Sequence, residues 1–175
     1  MTFQETQREL DRIVKNEYPL IASSFIDREI MLRAAYEIDY AKYYEDGFRG
    51  VIFDIDNTLV PQDAPSDERS RKLLNELREM GYKVMLLSNN NETRIKRFTQ
   101  ADEGTDVDYI CKAGKPSRKG YIRAMEQMGT TVDNTLFVGD QLFTDVWGAT
   151  RTGIMTVLVK PMDPHEEIQI VFKIA

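Results

Sequence analysis

One stretch constrains this chain more than any other, because it is an apolar run that ends in two carboxylates and a hydroxyl. Residues 50–60 read Gly-Val-Ile-Phe-Asp-Ile-Asp-Asn-Thr-Leu-Val, so Asp54 and Asp56 close the run and Thr58 follows two residues later. The run is typical of a strand buried on both faces. Charged groups at the end of a buried strand need a partner for their charge, and paired carboxylates suit a divalent cation.

The composition excludes some classes of protein. The chain has 175 residues, of which 42% are hydrophobic and 30% are charged, as in an ordinary globular domain. A formal net charge of −6 argues against nucleic-acid binding. There is no basic, apolar signal segment and no run of about 18 apolar residues. With a single cysteine, Cys111, an internal disulfide is impossible. We therefore expect a cytoplasmic protein without a transmembrane segment, either free or peripheral at the inner membrane face.

Apolar runs alternate with helical patterns along most of the chain. Strands are predicted at about 49–54, 83–88, 106–111, 135–139 and 154–159. Helices are predicted between them at about 66–81, 92–100, 116–128 and 144–151, with Ser66 as the N-cap of the first. This alternation predicts an α/β fold, a three-layer Rossmann-like parallel sheet with helices on both faces.

The first 46 residues form a predicted helical extension, and residues 47–175 form the predicted core domain. Leu10, Ile13 and Val14 follow helical spacing, and Pro19 interrupts the pattern. A second segment resumes it with a wide apolar stripe of Ile26, Ile30, Ala34 and Ile38. An apolar stripe of this width needs a partner. Its partner is either the protein's own core, a second subunit or, by shallow contact, a membrane surface. A terminal helix is predicted after Pro164.

Polar side chains follow the predicted strands where each strand ends. In an open parallel sheet, ligands bind beyond the carboxyl ends of the strands. The residues expected to meet there are Asp54, Asp56, Thr58, Ser88, Asn89, Lys115, Asp140 and Asp145. Carboxylates can hold Mg²⁺, while a lysine, hydroxyls and loop N–H groups suit phosphate oxygens. One carboxylate can act as a nucleophile and another as a general acid and base, so the set fits phosphoryl transfer.

Four motifs, in this order, resemble those of the haloacid-dehalogenase superfamily. They are Asp54-Ile-Asp-Asn-Thr58, Ser88-Asn89, Lys115 within Gly-Lys-Pro, and Gly139-Asp-Gln-Leu-Phe-Thr-Asp145. The resemblance covers residues 48–160. It implies a Mg²⁺-dependent phosphomonoester hydrolase that acts through a phospho-aspartate intermediate. An acid at the second position of the first motif is similar to the phosphatases of the superfamily, whereas its dehalogenases lack it.

The resemblance also implies a role for the catalytic positions. Asp54 would be the nucleophile and a metal ligand. Asp56 would be the general acid and base, with its backbone carbonyl on the metal. Lys115 would neutralise the phospho-aspartate.

Further roles are implied for the remaining polar positions. Thr58 and Ser88 would contact phosphate or hold the motifs in place, and Asn89 would join them in phosphate binding. Asp140 would bind the metal directly, and Asp145 would bind it through water or support its ligands.

The spacing of the motifs bears on the substrate. Members of the superfamily carry cap domains after the first or the second motif. Here a predicted loop, helix and strand fill the interval from Asp54 to Ser88, and a predicted helix and short strand fill that from Ser88 to Lys115, so neither interval is long enough for a cap domain. We therefore expect an open, capless site, covered only by the loop at residues 60–65, that admits a phosphate carried on something large. The sequence Asp-Gln-x-x-Thr-Asp at 140–145 resembles the branch that includes phosphatidylglycerophosphate phosphatases. A lipid headgroup is thus one substrate class. A soluble metabolite, a nucleotide or a phosphoprotein is the alternative.

Two further interpretations stay open at this point. The first is a protein of another class, a non-catalytic regulatory or assembly module that binds a partner or forms an oligomer through its N-terminal helices. The second concerns the basic residues near the predicted strand ends, which form either a basic rim or ordinary solvated helix faces. They are Arg94, Lys96, Arg97, Lys112, Arg118 and Lys119.

Overall fold

The computed structural model describes residues 34–100 and 104–162, and within them five parallel strands form one sheet. The strands are β1 (Gly50–Phe53), β2 (Lys83–Leu87), β3 (Asp108–Ile110), β4 (Thr135–Gly139) and β5 (Met155–Leu158). Their order across the sheet is β3-β2-β1-β4-β5. Each strand lies within the apolar run that predicted it, so the predicted parallel α/β sheet is confirmed.

Helices connect the strands in the predicted places. They are α1 (Tyr40–Glu45), α2 (Glu68–Met80), α3 (Glu92–Thr99), α4 (Arg118–Met128) and α5 (Gly148–Thr152). A short 3₁₀ turn, Ala35–Glu37, precedes α1, and a π-helix, Leu142–Trp147, leads into α5. The single α-helix predicted from residue 144 was therefore wrong in form. A wider π turn comes first, as is frequent at functional sites.

Two apolar layers cover the two faces of the sheet. Val51 and Phe53 of β1 point to the face that carries α2 and α3, where Leu74 and Phe98 are fully buried. Ile52 points to the opposite face and belongs to the cluster formed with α4 and α5. Burial on both faces explains why the central strands are continuous apolar runs rather than alternating ones. The three-layer arrangement is thus confirmed.

Helix α2 begins one residue later than the sequence indicated. Its N-cap is Asp67, whose carboxylate accepts a hydrogen bond from the Ser70 N–H at 2.8 Å while Ser70 Oγ accepts one from the Asp67 N–H at 2.9 Å. The prediction of Ser66 was wrong because Asp67 has the extended backbone that lets its side chain reach back to the first turn. Ser66 is instead buried, and both its oxygens accept from Arg71.

The segment before β1 packs on the layer that includes α2. Ala35 and Tyr40 are buried. The Tyr82 hydroxyl donates to the Tyr40 carbonyl at 2.7 Å, and the Tyr36 hydroxyl donates to the carbonyl of Leu59 beside Thr58. Residues 34–46 therefore touch the core, as one of the three predicted arrangements requires. The apolar stripe before residue 34 and the terminal helix after Pro164 lie outside the described residues, so the domain boundary at 46 stays a prediction.

Among the described residues, no helix is both long and apolar enough to cross a membrane.

Candidate active site

The site lies where the chain order of the sheet reverses. From β1 the chain continues to β2 and β3 on one side, while β4 and β5 lie on the other. Such a switch point leaves a crevice at the carboxyl ends of the two central strands. Asp54 follows β1 and Asp140 follows β4, and the Asp54 N–H donates to the Val138 carbonyl at 3.0 Å. The strand ladder thus fixes the position of Asp54 beside the end of β4.

Three carboxylates gather at this crevice. Ligand atoms of Asp54, Asp140 and Asp145 lie within 4.8 Å of one another, and Asp140 and Asp145 are buried. Asp140 Oδ1 accepts from Thr58 Oγ1 at 3.2 Å, whereas Asp140 Oδ2 is buried with no hydrogen-bond partner in the described part of the chain. A buried carboxylate oxygen without a donor is costly unless a cation completes it. This donor set, hard oxygens in close proximity, fits Mg²⁺.

Lys115 supplies the positive charge within this group. Its Nζ donates to Asp54 Oδ1 at 3.0 Å and to Asp145 Oδ1 at 2.7 Å, and the residue is only 6% exposed. The loop that carries Lys115 is fixed by Asn89, which accepts from the Lys115 N–H at 2.7 Å and donates to the Lys115 carbonyl at 3.0 Å. Asn89 therefore places the lysine, and its predicted phosphate contact stays a prediction.

Burial and charge shift the proton affinities of this cluster. Burial alone would lower the pKa of Lys115, but the adjacent carboxylates of Asp145 and Asp54 raise it above its ordinary value. Burial, with the neighbouring charge of Asp54, raises the pKa of Asp145 to about 6 in spite of Lys115. Burial also raises the pKa of Asp140 well above its ordinary value, with Asp54 and Asp145 adding to the effect. The single positive charge of Lys115 does not neutralise three carboxylates, so the charge balance of the cluster favours binding of a further cation.

Asp56 is held by donors from outside its own strand. Its Oδ1 accepts from the Asp63 N–H at 2.8 Å and from Arg94 Nη2 and Nε at 2.7 and 3.2 Å, and its Oδ2 accepts from Asn90 Nδ2 at 2.9 Å. Asp63 belongs to the loop at residues 60–65, here called the roof loop, and Arg94 lies in the first turn of α3. The second acid of the first motif is thus tied to both the roof loop and α3.

Arg94 is the residue whose importance the sequence analysis missed. Both interpretations of the basic residues, a basic rim and solvated helix faces, treated Arg94 as a surface group. Its side chain is only 4% exposed. The signal was present in the helical spacing, because Arg94 falls on the same face of α3 as Ile95 and Phe98, both fully buried. A charged residue on an apolar helix face needs a buried counter-charge, and here Asp56 provides it.

The structure places the eight predicted site residues in two neighbouring groups, one around Lys115 and the acidic cluster and one around Asp56. Thr58 and Lys115 contact the carboxylate cluster directly, while Asn89 holds the backbone of Lys115. Ser88 is buried, and its Oγ accepts from the Asn90 N–H at 3.0 Å, which places the amide that contacts Asp56. The hydroxyls of Thr58 and Ser88 thus support neighbouring groups, and their predicted phosphate contacts stay predictions.

The crevice has little above it in the described residues. Only the roof loop and α2 lie between β1 and β2, and α3 is the element between β2 and β3. The roof loop is fastened by the Asn57 N–H, which donates to the Val60 carbonyl at 2.7 Å, and by Asp63. Within residues 34–100 and 104–162, no cap domain is inserted at either position.

Comparisons with known proteins agree with this geometry. A family model described as haloacid dehalogenase-like hydrolase matches residues 62–153. The probable phosphatase YqeG of Bacillus subtilis is 40% identical over 128 residues, which are 73% of each protein. Phosphatidylglycerophosphate phosphatase 1 of Arabidopsis thaliana is 30% identical over 151 residues, covering 77% of this chain and 40% of that protein.

Solved structures support the fold. NagD from Escherichia coli superposes with a TM-score of 0.56 at 16% identity, covering 69% of this chain and 91% of that one. A haloacid dehalogenase-like hydrolase from Bacteroides fragilis superposes with a TM-score of 0.54 at 15% identity, covering 70% of this chain and 92% of that one. At such identities the likeness shows the fold alone.

Proposed function

The chain belongs to the haloacid dehalogenase-like hydrolases and is a phosphatase, and on that premise we propose that it hydrolyses phosphomonoesters with Mg²⁺ through a phospho-aspartate at Asp54. One observation carries the proposal. Asp54 stands at the switch point of the sheet, with Lys115 on its carboxylate and two buried acids beside it. Membership of a family with named phosphatases, together with this complete acidic set, favours an enzyme over the non-catalytic module.

Asp54, Asp56 and Lys115 each have a separate role in the proposed reaction. The Asp54 carboxylate attacks phosphorus, the bond from phosphorus to the ester oxygen breaks, and the alcohol leaves with a proton from Asp56. Asp56 then takes a proton from water, which attacks the same phosphorus and releases phosphate and free Asp54. Lys115 balances the negative charge at Asp54 throughout.

The acidic cluster suits a metal cofactor. Asp54 and Asp140 would hold Mg²⁺ directly, with the Asp56 carbonyl as a further oxygen ligand and Asp145 beside them. Oδ2 of Asp140, which has no hydrogen-bond partner within residues 34–100 and 104–162, is the atom that most needs such a cation. When bound, Mg²⁺ would supply positive charge to the phosphoryl oxygens.

The test of this function is the substitution Asp54→Asn, which keeps the shape of the side chain and removes its nucleophilic charge. We expect Mg²⁺-dependent phosphate release by the wild type and none by Asp54→Asn. Asp108→Asn, an exposed acid on β3, is the matched control and should retain full activity. Phosphate release that survives in Asp54→Asn would overturn the proposal.

For the substrate we propose a phosphate carried on a large molecule, with phosphatidylglycerophosphate as the first candidate. The absence of a cap in the described residues supports this, as does the likeness to a plant protein whose name gives that lipid. A cytoplasmic enzyme would meet the lipid headgroup at the inner membrane face, with the N-terminal segment as the proposed point of peripheral contact. A soluble metabolite, a nucleotide or a phosphoprotein is the alternative substrate.

Competition between substrates tests this choice. Phosphatidylglycerophosphate in mixed micelles should be turned over with a higher kcat/KM than sugar phosphates, nucleotides or phosphopeptides at equal phosphate concentration. Glycerol phosphate in the same detergent controls for micelle effects. A clear preference for any soluble phosphoester would reject the lipid and leave the phosphatase activity standing.

A further inference from the structure

Arg94 is a buried cation that the proposed mechanism does not use. Its side chain is 4% exposed and its Nη2 lies 2.7 Å from Asp56 Oδ1, while Nε lies 3.7 Å from Asp63 Oδ1 in the roof loop. Its Nη1 is buried and has no hydrogen-bond partner in the described residues. The guanidinium therefore links α3, the second acid of the first motif and the loop above the crevice.

The two oxygens of Asp56 are held unequally. Each carboxylate oxygen has about two acceptor positions, and four donors from the described residues reach Asp56, unevenly divided between its two oxygens. Three of them, two from Arg94 and one from the Asp63 backbone, converge on Oδ1. Oδ2 has a single neutral donor, the amide of the exposed residue Asn90. An exposed neutral hydrogen bond is much easier to exchange than a buried charged pair.

We propose that Arg94 is a positioning residue that anchors Oδ1 of Asp56, so that Oδ2 is the oxygen that carries the proton to and from the substrate. The inference rests on the proposed function, in which Asp56 is the general acid and base. Substrate would displace Asn90 from Oδ2 while the contact with Arg94 persists. The same guanidinium also contacts Asp63, and in this way it holds the roof loop close to Asp56.

The alternative role for Arg94 is simple stabilisation of the fold, and the structure argues against it. Replacing a buried ion pair with apolar residues is often neutral or stabilising, so such a pair is weak evidence of a contribution to stability. Among the described residues Nη1 also has no hydrogen-bond partner, which adds a cost that a purely structural cation would avoid. What the arginine provides, and a lysine would not, is a planar fork with two N–H groups on one carboxylate oxygen.

The test is Arg94→Lys, assayed with esters that differ in their need for an acid. The rate of phospho-enzyme formation is measured in single turnovers with enzyme in excess. An alkyl phosphate needs a proton on its leaving oxygen, whereas p-nitrophenyl phosphate has a leaving group that departs without one. General acid catalysis contributes about 10²–10⁴-fold, so misplacing the acid should slow the alkyl ester about 10–100-fold and the aryl ester only a few-fold. Arg97→Lys, an exposed neighbour on α3, should change neither rate.

Two further variants make the result specific. In an Asp56→Asn background, Arg94→Lys should add nothing to the loss, because the acid that it positions is already gone. Asn90→Ala removes only the exchangeable donor, and it should leave the alkyl ester within a few-fold of the wild-type rate. Asn90→Ala also decides the question if Arg94→Lys does not fold.

Three results would overturn the inference: an equal loss on both esters, an additive loss in the Asp56→Asn background, or a loss in Asn90→Ala as large as that expected for Arg94→Lys. The proposed function is judged separately, by activity of the wild type and inactivity of Asp54→Asn. A failure here therefore leaves that conclusion intact.

Discussion

At the scale of single residues, the balance of charge around Lys115 governs the site. Its ammonium group contacts Asp54 and Asp145, and the third acid, Asp140, keeps one oxygen without a partner in the described residues. Burial and the nearby charge of Asp54 raise the pKa of both Asp140 and Asp145, so protons and a metal ion compete for the same cluster. The competition makes metal binding depend on pH.

Stabilisation by Mg²⁺ should grow as the pH rises through 6. Burial raises the pKa of Asp145 to about 6, so between about pH 4 and pH 6 the folded protein carries a proton on Asp145 that the unfolded chain lacks. In the metal-free protein, the stability linked to this proton is lost as pH rises from about 4 through 6. Mg²⁺ must displace the same proton. Its effect on Tm should therefore be small at about pH 5 and larger at about pH 7.5.

Thermal unfolding with and without MgCl₂ measures this dependence. Asp145→Asn carries no titrating group at that position, so the difference between the two pH values should shrink in this variant. A Mg²⁺ effect that is the same at both pH values in the wild type would contradict the account.

Gly139→Ala should impair the site although it replaces no charged residue. A Cβ at position 139 would lie 2.6 Å from Asp145 Oδ2 and 2.7 Å from its Cγ. Asp145 cannot move freely, because Lys115 and the Gln141 N–H hold its two oxygens. A displacement of about 1 Å can cost about 10²-fold in rate, so kcat should fall by about this factor. In an Asp145→Gly background, which removes Oδ2, Cγ and the Cβ that would lie 2.8 Å away, the same change should cost little, and a full loss there would point to a different cause.

Among the helices and strands, α2 has its N-cap one residue later than the position that the sequence predicted. Ser66 and Asp67 are both good N-cap residues, and the sequence does not distinguish them. The backbone does, because Asp67 is extended and forms the reciprocal pair of hydrogen bonds with Ser70. An acid at this end of the helix is also favoured by the helix dipole.

Asp67→Ala should lower the free energy of unfolding by about 1 kcal/mol, since it removes the cap of α2. Ser66→Ala should cost less, because the Ser66 backbone carbonyl still accepts from Arg71 after the hydroxyl is lost. Urea denaturation of the two variants gives the comparison. If Ser66→Ala costs as much as Asp67→Ala, the assignment of the cap is wrong.

The π-helix at Leu142–Trp147 could not be predicted from helical spacing. Asp145 within it is tied to Lys115, 30 positions earlier, and to the N–H of Gln141. The contact with Lys115 is long-range, so a short window of sequence does not contain it. The five strands could be predicted because burial on both faces leaves an apolar run in the sequence itself.

At the scale of the whole molecule, the position of the site could be predicted because topology dictates it. Once five strands run parallel, the polar residues after each of them must come to one edge, so Asp54, Lys115 and Asp140 were expected together. The group of donors around Asp56, which comes from Arg94, Asn90 and the Asp63 N–H, was not expected. It depends on Arg94 being buried, and basic residues are usually exposed.

The whole molecule also leaves its crevice open within the described residues. The roof loop is its cover there, and it is fastened to α3 through Asp63 and Arg94. The segment before β1 also contacts the first motif region, where the Tyr36 hydroxyl donates to the carbonyl of Leu59, the residue after Thr58. An open crevice bordered in this way suits a phosphate that arrives on a large carrier.

The central claim is that Asp54 carries the phosphoryl group between substrate and water. Rapid acid quenching of the enzyme during turnover, followed by mass spectrometry of its peptides, tests this directly. We expect one added phosphoryl group on the peptide that contains Asp54, present only with substrate and Mg²⁺ and absent from Asp54→Asn. A phosphoryl group on another residue, or steady turnover by an enzyme whose Asp54 is never modified, would contradict it.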